Sequence, residues 1–182
     1  MASDPRHYFL ETSRLGFGVW SIQDADLARA LWGDPRVTGL IGGPFNDQQV
    51  VERLNAEIAS MDRYNVQYWP IFLLDQDQHV GCAGLRPYRV DQRIYELGFH
   101  LRPGYWHRGL AREAARAVVA YGFETVGASA LFAGHHPDNA SSKRILVELG
   151  FRQIGEEYYP PTGRKHPSYL LEKDQPHFAP AY

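Results

Sequence analysis

A chain of 182 residues, 44% of them apolar, is the size of one ordinary domain with a sizeable core. Its 19 Lys and Arg against 21 Asp and Glu leave a formal net charge of −2, which offers no basic patch for nucleic acid and no cationic face for an acidic membrane. The single cysteine, Cys82, excludes an intrachain disulfide; with no apolar targeting segment after Met1 and no apolar run of membrane-spanning length, a cytoplasmic location is expected.

Residues 1–11 read as a loose arm, and Leu15 to Trp20 as a first strand weakened by Gly16 and Gly18. Asp24 can cap a helix whose stripe is Leu27, Ala30 and Leu31, stopped by Gly33 and Pro35. A glycine-rich loop, 39–44, leads to Asn46 and Gln49. They form a capping box for a longer helix carrying Val50, Leu54, Ile58 and Met61 on one face. Trp69 to Leu74 is a strand in which Pro70 implies an edge or a strand start. After the turn Asp75–Gln78 comes a strand from Val80 to Leu85. Cys82 lies in it with no base beside it in the sequence, so a structural role is expected.

Ile94 to Leu101 alternates. Tyr95, Leu97, Phe99 and Leu101 face one way, and Glu96, Gly98 and His100 the other. The strand ends at Pro103-Gly104, and a small-residue loop, Trp106-His107-Arg108-Gly109-Leu110-Ala111, runs into a helix. That helix buries Leu110, Ala114, Ala117/Val118 and Tyr121 and turns Arg112, Glu113 and Arg116 outward. Ala130 to Ala133 is a short buried strand. Asp138 or Asn139 can cap the next helix, whose stripe is Ile145, Leu146 and Leu149 and whose left-handed end is Gly150. Phe151 to Tyr159 and Ser168 to Glu172 form a last strand pair, and 174–182 a frayed tail. The order β-α-α-β-β-β-α-β-α-β-β, without repeat or linker, describes a single α+β domain over 1–182.

The strand–loop–helix around Gly109 carries the chemistry. Small residues at a helix N-terminus leave backbone N–H groups and the positive end of the helix dipole open to phosphate. The loop lacks the Lys-Ser/Thr ending of a P-loop, and no Gly-x-Gly-x-x-Gly with a following acidic residue marks a dinucleotide site. Tyr105-Trp-x-x-Gly-x-Ala-x-Glu-Ala114 instead resembles the acetyl-CoA loop of the GNAT N-acetyltransferases, Gln/Arg-x-x-Gly-x-Gly/Ala. Trp106 in place of Gln or Arg is similar to the branch that contains ribosomal-protein N-terminal acetyltransferases. His136-Pro-Asp-Asn139-Ala-Ser-Ser142, closed by Gly150-Phe151, resembles the Asn-x-x-Ser block that follows in that family.

The resemblance implies a mixed, mostly antiparallel central sheet flanked by helices, with two neighbouring strands splayed to admit the pantetheine arm of acetyl-CoA. It implies transfer of an acetyl group to a primary amine, on a small molecule or a protein N-terminus, by direct attack in a ternary complex. The alternative is a non-catalytic acyl-CoA-binding or sensor domain of the same fold. The expected cofactor contacts are Leu101, Trp106, His107, Arg108, Gly109, Leu110, Ala111, Asn139, Ser142 and Lys143, with a backbone N–H near His100 or Leu101 polarising the thioester. Glu96, alone among apolar neighbours, is the expected general base, and His100 its rival. The bland reading of Glu96 is an ion pair with Arg86 or Arg93. Ser142 is the expected proton donor to the thiolate, because no tyrosine lies between Asn139 and Phe151. Glu157 and Tyr158 are candidates for the acceptor side. His135 and His136 suggest metal, but adjacent strand residues point opposite ways, so no metal site is expected. The chain is expected to act as a monomer or homodimer.

Overall fold

The computed structural model describes residues 7–174, and within them the chain forms eight strands and five α-helices. The strands are β1 (Leu10–Glu11), β2 (Leu15–Phe17), β3 (Tyr68–Leu73), β4 (Gln78–Arg89), β5 (Ile94–Leu101), β6 (Ala130–Gly134), β7 (Arg152–Tyr159) and β8 (Arg164–Glu172). The helices are α1 (Ala25–Trp32), α2 (Pro35–Thr38), α3 (Asp47–Tyr64), α4 (Leu110–Glu124) and α5 (Ala140–Glu148). One sheet holds all strands in the order β1-β2-β3-β4-β5-β6-β8-β7. Every pair is antiparallel except β5–β6, which α4 connects as a crossover.

Helices cover both faces. On one, Leu110, Ala114 and Val118 of α4 and Leu146 of α5 pack on Leu97, Leu101 and Leu131. On the other, Leu31 and Trp32 of α1 and Val50 and Leu54 of α3 pack with Tyr68 and Cys82. The alternation of β5 decides which face each residue serves: Leu97 and Leu101 go to α4, Glu96 and His100 to the α1–α3 side.

Several local expectations are corrected. Leu10 and Glu11 pair with β2, and Phe9 packs on Trp69 and Tyr121, so the arm joins the sheet before residue 12. The tail from 175 on lies outside the described residues, as do residues 1–6. Pro70 sits inside β3, an interior strand. Its neighbour β2 ends at Phe17 opposite Ile71, and the Pro70 carbonyl accepts the Gly18 N–H at 2.9 Å, so the missing proline donor falls where the β2 ladder has stopped. Asp24 precedes α1 but turns its carboxylate to the Ser21 N–H and hydroxyl, and α1 buries Leu31 as expected but Ala28 and Trp32 in place of Leu27 and Ala30. Asn46 and Gln49 do form the capping box of α3, and Gly150 is left-handed at φ 89°.

Candidate active site

β5 and β6 are in register for three pairs only, Ile94↔Ala130, Tyr95↔Leu131 and Glu96↔Phe132. β5 then runs on to Leu101 and β6 to Gly134 without pairing, which leaves a gap in the middle of the sheet. The Leu85 N–H bonds the carbonyl of Gln67, the residue before β3, so in the pair Leu85↔Leu97 the Leu97 polar groups turn from β4 toward β6. By alternation those of Phe99 and Leu101 do too, whereas His100 turns its N–H to β4. A donor for a carbonyl held in the gap is therefore Phe99 or Leu101, not His100.

Glu96, Gly98 and His100 form the cleft floor with Tyr68. A Cβ on Gly98 would lie 2.1 Å from the Tyr68 ring, so only glycine lets that ring cross the strand between the two polar residues. Glu96 stands opposite Arg86 on β4. The Arg86 guanidinium nevertheless bonds Glu57, a fully buried carboxylate of α3 that also takes the Arg53 Nε–H at 3.0 Å and the Tyr68 N–H at 2.8 Å. The Glu96 carboxylate has no hydrogen bond or ion pair among the described residues. Protein surrounds it on all sides but the cleft, and this desolvation raises its pKa against the opposing pull of Arg86 and Arg53.

His100 is tied differently. Its Nδ1 accepts the Trp32 Nε1–H at 3.3 Å, which assigns the ring proton to Nε2. Burial, then the charges of Arg53 and Arg86, pull its pKa well below the usual imidazole value. A neutral ring with its lone pair already occupied is a poor proton acceptor, which weighs for Glu96. Tertiary structure also gives Cys82 the neighbour its sequence lacked: His100 Nδ1 lies 3.8 Å from Sγ. Burial still pushes the thiol up to about 12, so no thiolate–imidazolium pair forms.

The facing wall is built from β6, α5 and the β7–β8 hairpin. Asn139 caps α5 by accepting the Ser142 N–H at 3.0 Å, and both residues line the cleft. Phe132 stacks flat on Tyr88 at 4.0 Å, and the Tyr88 hydroxyl donates to Glu157 at 2.6 Å. Tyr158, on the same strand, lines the cleft beside Glu157. Leu40 and Ile41 also line the cleft. Next to them a Cβ on Gly42 would strike Pro161 at 2.4 Å, so loops 39–44 and 160–163 touch. His135 turns to the Tyr169 hydroxyl and His136 to the ring of His166. No group of three or more His, Cys, Asp or Glu able to hold a metal occurs among the described residues.

A second locus lies where the gap meets α4. Gly109 is the helix N-cap at φ 75°, with no side chain of the described residues bonded to the free N–H groups of the first turn. A Cβ there would meet only Arg14 Nη2, at 3.6 Å, so the backbone is open to a ligand. The Trp106 indole donates to the Leu101 carbonyl at 2.8 Å and ties the loop to the end of β5. Glu113 was expected to face solvent. It instead accepts from the Thr12 and Ser13 hydroxyls and pairs with Arg14, which bonds the Arg108 carbonyl and braces the turn from behind. His107 (φ 59°) and Arg108 are exposed in this loop, Leu110 is buried, and Ala111 is partly so. The Leu101 side chain is buried and its carbonyl is taken by Trp106, which leaves its N–H for any ligand, and Lys143 is exposed on α5 and does not line the cleft.

The profile of the acetyltransferase (GNAT) domain matches residues 14–152. The chain belongs to the GNAT acetyltransferase family. It is an acyltransferase by family, and it is 29% identical over 148 residues to YoaA of Bacillus subtilis, named an uncharacterized N-acetyltransferase, covering 80% of this chain and 84% of that one. The structure of a GNAT-family acetyltransferase from Bacillus anthracis superposes with a TM-score of 0.78 at 22% identity, over 91% of this chain and 99% of that one. A ribosomal-protein-S5-alanine acetyltransferase from Vibrio fischeri superposes with a TM-score of 0.73 at 18% identity, over 91% and 96%, a likeness of fold.

For a GNAT chain, the cleft unites Glu96 and His100 of β5 with Asn139 and Ser142 of the α5 N-terminus, while the loop 106–111 forms its own locus. Sequence reasoning missed Glu57, Arg53, Tyr88 and Phe132. A glutamate at position 57 beside Leu54 and Ile58, on the apolar stripe of α3, was the one available signal for a buried carboxylate.

Proposed function

We propose that the protein transfers an acetyl group from acetyl-CoA to a primary amine by direct attack in a ternary complex. The observation that carries this reading is the separation of β5 from β6 beyond Glu96–Phe132, with the uncapped α4 N-terminus at one end of the gap and Glu96 on the cleft floor at the other. The first-turn N–H groups of α4 would seat the pyrophosphate, Asn139 would bond the pantetheine amides, and the Phe99 or Leu101 N–H would polarise the thioester carbonyl. Glu96, with its raised pKa and no competing partner, accepts the proton that the attacking nitrogen sheds. The C–N bond forms as the C–S bond breaks, the Ser142 hydroxyl supplies a proton to the departing thiolate, and solvent returns to Ser142 the equivalent of the proton that Glu96 releases. The acceptor classes compatible with this chemistry are small amines and protein N-termini.

The test is release of free CoA thiol from acetyl-CoA across an amine panel, with both substrates varied. Amine-dependent release with intersecting double-reciprocal lines supports the ternary complex. Parallel lines, the pattern of an acetyl-enzyme, overturn direct attack.

A further inference from the structure

Glu96 and Arg86 stand side by side on one face of neighbouring strands, and Arg53 reaches the same cleft from α3. Glu57 is the only carboxylate bonded to either guanidinium among the described residues, so one anion serves two cations. Arg53 Nη2 is buried and has no hydrogen-bond partner among the described residues. A buried donor left unsatisfied is costly, and an anion supplied by a ligand would remove that cost. Both guanidiniums are held in place before any ligand arrives: Arg86 lies 4.3 Å over the Tyr68 ring, and Arg53 5.1 Å over Trp32 and 5.5 Å over Tyr68.

We infer that the acceptor is a small primary amine with a free carboxylate beside the amine, the pattern of an α-amino acid. Its nitrogen faces Glu96 and its carboxylate faces Arg53 and Arg86. A zwitterion of this kind presents one cation and one anion a few bonds apart, which complements a carboxylate and a guanidinium on adjacent strands. The inference rests on Glu96 as the residue that receives the amine.

Two other observations favour it over the remaining acceptor classes. A polyamine would bring a second cation against two guanidiniums that share one bonded carboxylate. A protein N-terminus would place an uncharged amide carbonyl there, and its following residues would have to leave beneath the contact between loops 39–44 and 160–163. A further acid of the cleft, Glu157, stands on the opposite wall with the Tyr88 hydroxyl on its Oε1. It would flank the acceptor side chain, not its carboxylate.

The experiment compares acetyl transfer to a set of α-amino acids and to the same compounds as primary amides, in wild type and in Arg53→Gln. The expected result is a kcat/KM at least ~100-fold higher for the acids in wild type, since a site built around a charged partner rejects the analogue that lacks it. Arg53→Gln should collapse that ratio by ~10-fold or more, through KM for the acids. Amides used as well as acids by wild type overturn the inference and leave the acetyltransfer reading standing, as does a variant that slows both sets equally. Transfer to peptides or polyamines but not to amino acids has the same meaning. If no amine of any set is acetylated, both readings fall. Should Arg53→Gln not fold, the acid-to-amide ratio of the wild type decides alone.

Discussion

Arg86 and Glu96 face each other across β4 and β5, yet the guanidinium bonds Glu57 on the helix above them, α3, and leaves Glu96 without a hydrogen-bonded partner among the described residues. The competition is decided by solvation. Glu57 is fully buried and would be untenable as an unpaired charge, whereas Glu96 keeps one side on the cleft and tolerates ionisation there. The ion pair that could have silenced Glu96 as a base is thereby diverted, and several expected outcomes follow from that geometry.

Glu96→Gln should lower kcat by ~10²–10⁴ with acetyl-CoA affinity almost unchanged, because the substitution removes only the proton acceptor. In wild type the acidic limb should lie above the range of a free carboxylate, since the base is active only when ionised and its pKa is raised by burial. The same shift has a stability sign. A carboxyl whose folded pKa exceeds its unfolded value loses stability as pH rises between the two, so Glu96→Gln should raise Tm at neutral pH. A rate profile with its acidic limb intact in the variant would move the base elsewhere.

Glu57→Gln should do the opposite to stability. Breaking a buried pair from one side costs about 3–5 kcal/mol, because Arg53 and Arg86 lose their shared anion. Arg86 is then free to turn to Glu96, so the acidic limb of any residual activity should move to lower pH. Thermal melts and a pH–rate series check both effects, and a purely structural role for Glu57 would move only the first.

Gly109→Glu should weaken CoA binding at least tenfold more than Gly109→Ala. Both variants bear the strain of a side chain at φ 75°, about 1–2 kcal/mol, but only the first sets a carboxylate at the helix N-terminus. Equal affinities in calorimetry would place the pyrophosphate elsewhere.

Cys82→Ala should keep wild-type turnover, with a loss of about 1 kcal/mol or more from the cavity. The native thiol, fully buried and held up at about 12, should resist iodoacetamide at neutral pH. Loss of turnover with an unchanged Tm would contradict this.

Ser142→Ala should lower kcat and spare the fold, because the cap of α5 uses the Ser142 backbone N–H and not its hydroxyl. An unchanged kcat, measured with thiol release at saturating amine, would remove Ser142 from the chemistry.

What the sequence determined by itself is everything written at short range. The Asn46–Gln49 box, the left-handed Gly150, the Asn139 cap and the open Gly109 turn each depend on residues within a few positions, so local pattern sufficed to find them. The alternation of Ile94 to Leu101 likewise put Glu96 and His100 on one face before any fold was known. Tertiary structure alone decided what those side chains meet. The partner of Arg86 is 29 positions away on a helix, Trp32 reaches His100 from 68 positions away, and Glu113 turns inward because Thr12 and Arg14 arrive beside it. Charge neutralisation and burial are non-local quantities, set by which strands become neighbours, and they separate the free carboxylate at Glu96 from the occupied imidazole at His100.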